Sequence, residues 1–145
     1  CAIALADTLD PEIAIRHIIK TDFSHLEDEI YWYDGSGLSR YNQFTPQSMV
    51  QLLKKMYTSL GKERFSALLP VGGQSGTLRN AFASQKPYIF AKTGSMRHVY
   101  NLSGFLLTDG GKFLIFSFMN NHFDVSFDVL KKAMETILTE FKEKY

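Results

Sequence analysis

The run Phe113-Leu114-Ile115-Phe116-Ser117-Phe118 limits the fold more than any other stretch of the chain. Phe113 and Ile115 alternate with Leu114, Phe116 and Phe118, so a strand here is apolar on both faces. Such a strand has to be covered on both sides. Thr108-Asp109-Gly110-Gly111 precedes it and is hairpin chemistry. Strand-like runs are therefore expected at about 87–93, 99–107 and 112–119, the last two joined by that turn. One cover is easy to find: Leu130, Ala133, Met134, Ile137, Leu138 and Phe141 form the stripe of a terminal amphipathic helix. The other cover is expected to be mostly absent from this chain. The pattern is α+β, an antiparallel sheet with a C-terminal helix packed back on it.

Upstream of the sheet the chain reads as helical. Asp10-Pro11 is an N-cap followed by proline at the first helical position, with Ile15, Ile18 and Ile19 on one face. Ile30-Tyr31-Trp32-Tyr33 reads as a short strand, and Asp34-Gly35-Ser36-Gly37 as a turn. Thr45-Pro46 opens a second helix, in which Met49, Leu52, Leu53, Met56, Tyr57 and Leu60 recur at helical spacing. Residues 61–86 read as irregular, with a short helical piece near Phe65.

At 145 residues the chain has the size of one domain, and the start at Cys1 rather than Met points to a fragment cut through or just before a helix. A mature lipoprotein also begins with cysteine, but Ala2-Ile3-Ala4-Leu5-Ala6 is apolar at once, where a tether is usually polar. A net charge of +1 without a basic run gives no footprint for nucleic acid and no polybasic membrane patch. No apolar stretch approaches the roughly 18 residues of a transmembrane segment. The single cysteine excludes an internal disulfide and a cysteine-based metal site.

The chemistry-bearing residues come in a fixed order. Asp34-Gly35-Ser36-Gly37-Leu38-Ser39-Arg40-Tyr41-Asn42 places a hydroxyl and an amide on a turn. Gly76-Thr77-Leu78-Arg79-Asn80 follows, and then Lys92-Thr93-Gly94-Ser95 at a strand end, with Val99-Tyr100-Asn101-Leu102-Ser103-Gly104 behind it. This order resembles the serine D-alanyl-D-alanine carboxypeptidase/endopeptidase family, the low-molecular-mass class C penicillin-binding proteins, over most of residues 30–120. Serine β-lactamases and penicillin-binding proteins share a related set of three motifs: Ser-x-x-Lys, a serine-containing motif, and Lys-Thr-Gly.

The resemblance implies the C-terminal portion of a β-lactamase/transpeptidase-like fold, a single partial domain over 1–145. By the same resemblance Ser39 relays a proton toward the leaving amine. Asn42 orients the substrate amide or, because it stands three residues after Ser39 where the motif is usually Ser-x-Asn, merely caps the loop. Lys92 supplies positive charge near the terminal carboxylate of an acyl-D-Ala-D-Ala stem or of a β-lactam, and Thr93 donates a hydrogen bond to the same group. Gly94 lets the ligand backbone approach. The Ser95 N–H forms half of an oxyanion hole. No cofactor is implied, since acyl transfer to serine uses side chains and backbone dipoles. The implied partners are peptidoglycan stem peptides and β-lactams, and the implied location is the periplasm or cell envelope.

The nucleophile is the missing part. Ser59-Leu60-Gly61-Lys62 is the only Ser-x-x-Lys, but it follows Ser39 instead of preceding it and contains a helix-weakening glycine. It reads as coincidence, and the acylated serine is expected upstream of residue 1. A triad of Ser39, His98 and Asp34 lacks a nucleophile elbow. Gly72-Gly73-Gln74-Ser75-Gly76 lacks the Gly-Lys-Ser/Thr ending of a phosphate loop. His17, His25, His98 and His122 lack metal-ligand spacing. Phe113, Phe116 and Phe118 are core rather than a stacking platform, with no basic groove beside them. Two classes remain, part of a DD-peptidase or a non-catalytic penicillin-fold binding domain, and an exposed sheet edge leaves self-association open.

Overall fold

The hairpin signal and the three apolar runs produce an antiparallel meander. In the computed structural model, which describes residues 10–145, the strands are β1 (Ile89–Met96), β2 (Val99–Leu107) and β3 (Phe113–Asn121), in the order β1-β2-β3. Cys1 and the apolar residues 2–6 lie outside the described residues. The chain divides into two units, Cys1–Leu52 and Leu53–Tyr145, and each has its own logic.

In the second unit the register sets Lys92 opposite Ser103, and Ser103 opposite Ser117. Alternation then sorts side chains onto two faces. Ile89, Ala91, Tyr100, Leu102 and Leu106 share one face and form a buried core with Met134 and Leu138 of the terminal helix α3 (Phe127–Lys144). This is the expected cover, but Leu130, Met134 and Leu138 alone of the expected stripe make it; Ala133, Ile137 and Phe141 are exposed. The Ser126 side chain caps that helix by accepting from Val129 N.

Among the described residues the opposite face is closed by aromatic rings at one end. Phe90, Phe105 and Phe113 stack there, with ring centroids 4.7 and 4.3 Å apart, and Phe65 stacks on Phe105 at 5.5 Å. Tyr57 lies 4.5 Å from Phe113. Tyr57 and Phe65 belong to helix α2 (Pro46–Ala67), so part of the second cover is present in the chain after all. Phe65 and Phe105 are fully buried, each worth roughly 2–3 kcal/mol of transfer free energy. Toward the other end the same face turns polar, with Lys92, Asn101, Ser103 and Ser117; the two serine hydroxyls bond at 2.8 Å.

Helix α2 breaks at Gly61, whose φ of 74° and ψ of 164° are not helical. Ser59 and Lys62 therefore do not lie on one uninterrupted helical turn, the arrangement a serine activated by lysine requires. The break also separates the helix expected to end near Leu60 from the short helical piece expected near Phe65.

In the first unit Asp10 caps α1 (Pro11–Thr21) by accepting from Glu12 N at 2.9 Å, and Ala14 and Ile15 are buried. Thr45 caps the start of α2, its hydroxyl accepting from Ser48 N at 3.0 Å while Ser48 Oγ accepts from Thr45 N at 3.0 Å. The strand expected at 30–33 is reduced to one bridge, Tyr31 with Gln43. The reason is local: the Asn42 side chain takes the Tyr33 and Asp34 N–H groups at 2.7 and 3.2 Å, and so replaces the ladder a second strand would offer.

Candidate active site

The two groups of candidate residues fall in different units. Ser39 and Asn42 share one loop of the first unit; Lys92, Thr93, Gly94 and Ser95 share one strand end of the second.

The loop is tied by its own short polar side chains. Asp34 Oδ1 accepts from the Ser36 N–H and hydroxyl at 3.1 and 2.9 Å, and the Ser36 hydroxyl accepts from Leu38 N at 3.0 Å. These are Asx- and Ser-type turns, which need no core to form. The Ser39 hydroxyl accepts from Tyr41 N at 3.2 Å. Besides accepting from Tyr33 and Asp34, the Asn42 amide donates to the Asp34 carbonyl and carboxylate at 3.3 and 3.2 Å. Its side chain is thus engaged in the loop at both ends. The Ser36 hydroxyl, first among several causes, holds the Asp34 carboxyl below its ordinary pKa. Desolvation opposes this, while the Asn42 amide and the backbone N–H groups of Ser36 and Gly37 add to it. Trp32 Nε1 donates to the Asp34 carbonyl at 2.6 Å and anchors the loop from behind.

The strand end is built differently. β1 is an edge of the sheet, and its first half is covered by residues 70–72: Ala91 N donates to Pro70 O at 3.0 Å and Gly72 N to Ile89 O at 2.9 Å. Those bonds identify the odd-numbered residues as the ones whose N–H and C=O point outward. By the same alternation the main-chain groups of Thr93 and Ser95 face outward as well, beyond the covering segment. Lys92 Nζ donates to the Thr93 carbonyl at 2.7 Å, which brings the ammonium to that edge. Thr93 is buried and its hydroxyl lies 2.7 Å from that of Thr77. At Gly94 an added Cβ would meet only Asn101 Cβ, at 4.0 Å, so packing within the chain does not require a glycine there.

Thr77 lies in the Gly-Thr-Leu run, and its pairing with Thr93 has no signal in the sequence beyond that run. His98 Nδ1 pairs with the Phe123 carbonyl at 2.9 Å, a backbone contact at a hairpin end rather than a triad contact.

The antiparallel sheet with a terminal helix on one face and a Lys-Thr-Gly-Ser edge fits the penicillin-binding class of folds. The D-Ala-D-Ala carboxypeptidase 3 (S13) family matches residues 24–143, and the chain belongs to that family. The D-alanyl-D-alanine carboxypeptidase DacB of Haemophilus influenzae is 31% identical over 113 residues, 75% of this chain and 23% of the relative. The penicillin-sensitive carboxypeptidase A of Dictyostelium discoideum is 41% identical over 81 residues, 53% of this chain and 16% of the relative. Penicillin binding protein 4 (dacB) from Haemophilus influenzae superposes with a TM-score of 0.75 at 25% identity, over 91% of this chain and 31% of that structure. A predatory endopeptidase from Bdellovibrio bacteriovorus, solved with an immunity protein, has the same fold, with a TM-score of 0.76 at 22% identity over 91% of this chain and 37% of that structure. The chain spans about a fifth of the length of the curated relatives it matches.

Proposed function

We propose that this chain is the carboxylate-binding part of a serine DD-carboxypeptidase/endopeptidase that cleaves D-Ala-D-Ala stem peptides or crosslinks of peptidoglycan through an acyl-enzyme. The observation that carries the reading is the open end of β1. There an ammonium (Lys92), a hydroxyl (Thr93), a position without a side chain (Gly94) and an outward main-chain edge (Ser95) meet within four consecutive residues. An extended peptide ending in a carboxylate matches that edge: its backbone pairs with the strand and its anion meets the ammonium. The Ser95 N–H is then one of two donors to the oxyanion, and losing one such donor costs about 100- to 1000-fold in rate.

Ser39 relays the proton to the leaving amine in this reading. Asn42 supports Ser39 by fixing the loop, since all four of its side-chain hydrogen bonds run to residues 33 and 34. The nucleophilic serine and its lysine come from outside this chain, because Gly61 breaks the only local Ser-x-x-Lys. The protein acts at the cell envelope, binds β-lactams as substrate mimics, and needs no cofactor for the acyl transfer. No helix among the described residues is long and apolar enough to cross a membrane.

The test is intact mass after incubation with a reporter penicillin, for the isolated chain and for the full-length protein that carries it. An adduct on the full-length protein alone is expected. An adduct on the chain itself would overturn the assignment of an upstream nucleophile. No adduct on either would move the assignment to a binding domain for cell-wall peptide or a protein partner. Pairing of two copies through an exposed sheet edge is tested separately by gel filtration, where a clean monomer counts against it.

A further inference from the structure

The Thr93 hydroxyl carries one hydrogen and lies 2.7 Å from a second hydroxyl, that of Thr77. One of the two donates to the other. If Thr93 donated to Thr77, it would have no hydrogen left for an anion at the β1 edge. An anion accepting from Thr93 therefore requires Thr77 to be the donor within the pair.

The fold delivers Thr77 to this spot by several independent contacts. Pro70 O is bound to Ala91 N, one step before Thr93 along the outer edge. The chain then doubles back: Ser75 Oγ accepts from Val71 N at 2.8 Å, and Gly76 comes against the Pro70 ring. Gly76 has φ of +56°, and a Cβ there would lie 3.2 Å from two Pro70 carbons, so the return needs glycine. Thr77 is then the middle residue of a single turn of 3-10 helix (Gly76–Leu78) that is pinned by Leu78, which is 1% exposed, and by the bond from Gly73 N to Leu78 O. Residue 93 is thus held twice, its carbonyl by Lys92 and its hydroxyl by Thr77.

We propose that Thr77 is a positioning residue, whose hydroxyl donates to Thr93 Oγ1 and thereby turns the Thr93 hydrogen toward the terminal carboxylate of the D-Ala-D-Ala ligand. The inference rests on the reading of the β1 edge as a carboxylate site. Thr77 itself does not touch the ligand; it sets which way a neighbouring donor points before the ligand arrives, and such preorganisation favours the bound state without new contacts.

The experiment uses the full-length protein and compares kcat/KM for a stem peptide ending in D-Ala-D-Ala with that for its C-terminal amide. Thr77→Val is expected to lower the value for the free acid about 10- to 100-fold, the range for a hydrogen bond to a charged group. For the amide the loss is expected to stay below about 3-fold, because the neutral end depends less on an aligned donor. Thr77→Ser keeps the hydroxyl and is expected to retain most of the activity on both. Thr77→Val combined with Thr93→Val is expected to lose little beyond Thr93→Val alone, since the two act as a unit. An unaltered melting temperature in Thr77→Val excludes misfolding as the cause. Equal losses on acid and amide, no loss on either, or failure of Thr77→Ser to recover activity would each overturn the proposal. A wild-type protein that neither cleaves the peptides nor takes penicillin would instead overturn the DD-peptidase reading, and this inference with it.

Discussion

The loop that carries Ser39 and the strand that carries Lys92 are held by different forces. Around Ser39, polar side chains two to nine residues apart satisfy the backbone locally, and most of the loop is exposed. Around Lys92, pairing with β2, an aromatic cluster and a terminal helix fix the register, so position follows from pairing over long sequence distances. A motif of the first kind can be shaped by substitutions within it. One of the second kind moves only if the core moves.

The sharpest way to break this contrast is through the core. Phe105 is fully buried between Phe90, Phe65 and Phe113. Phe105→Ala is expected to cost about 3–5 kcal/mol in denaturant unfolding, the range for truncating a buried aromatic. Asn42→Ala, which removes the central tie of the loop, is expected to cost about 1–2 kcal/mol, with the change confined to Trp32 emission. Similar costs for the two, each seen by every probe, would show that the loop and the sheet are not stabilised separately.

Two glycines sharpen the same comparison within the sheet. A Cβ on Gly104 would meet Phe90 O at 2.1 Å and Ala91 Cα at 2.5 Å, so Gly104→Ala forces the strands apart. We expect it to destabilise the protein by about 3 kcal/mol, at the upper end for overpacking. Gly94→Ala meets only Asn101 Cβ at 4.0 Å and is expected to change stability by less than about 1 kcal/mol. In the full-length protein it should nevertheless slow acylation by penicillin at least about 10-fold, because the added methyl group occupies the space the ligand backbone needs. A Gly94→Ala protein acylated at the wild-type rate would remove the main reason for placing substrate against this edge.

The same division explains what could be read from the sequence. The meander, its turn and the terminal helix were legible because apolar periodicity and turn chemistry set them directly, and β1, β2 and β3 fall within a few residues of the expected runs. The break at Gly61 was legible too, as a glycine between two helical patterns. The strand expected at 30–33 was not realised, because apolar pattern alone does not reveal that the Asn42 side chain would claim the backbone N–H groups a ladder needs. Thr77 could not be assigned from sequence for a related reason. Its partner lies sixteen residues away, brought close by a return of the chain over Pro70 that no local periodicity encodes. The aromatic cover from Tyr57 and Phe65 was likewise hidden, since a helical stripe does not say which face of a sheet it meets.

The smallest expected effect tests the loop through its charge. Asp34 is held below its ordinary pKa chiefly by the Ser36 hydroxyl, with the Asn42 amide contributing. The sign follows from linkage: a carboxyl with a depressed folded-state pKa favours the folded loop above its unfolded value, about 3.9, and that contribution is lost as pH falls through the depressed value. Trp32 is the only tryptophan and its indole is bonded to the Asp34 carbonyl, so its emission reports this loop. Emission is expected to stay flat from pH 7 to about pH 4 and to change only below that. Asp34→Asn keeps an oxygen acceptor for Ser36 but cannot titrate, and should abolish the acid transition while leaving emission at neutral pH nearly unchanged. If the transition persists in Asp34→Asn, acid acts elsewhere. The loop would then owe its shape to Asn42 and the Trp32 anchor rather than to the carboxylate.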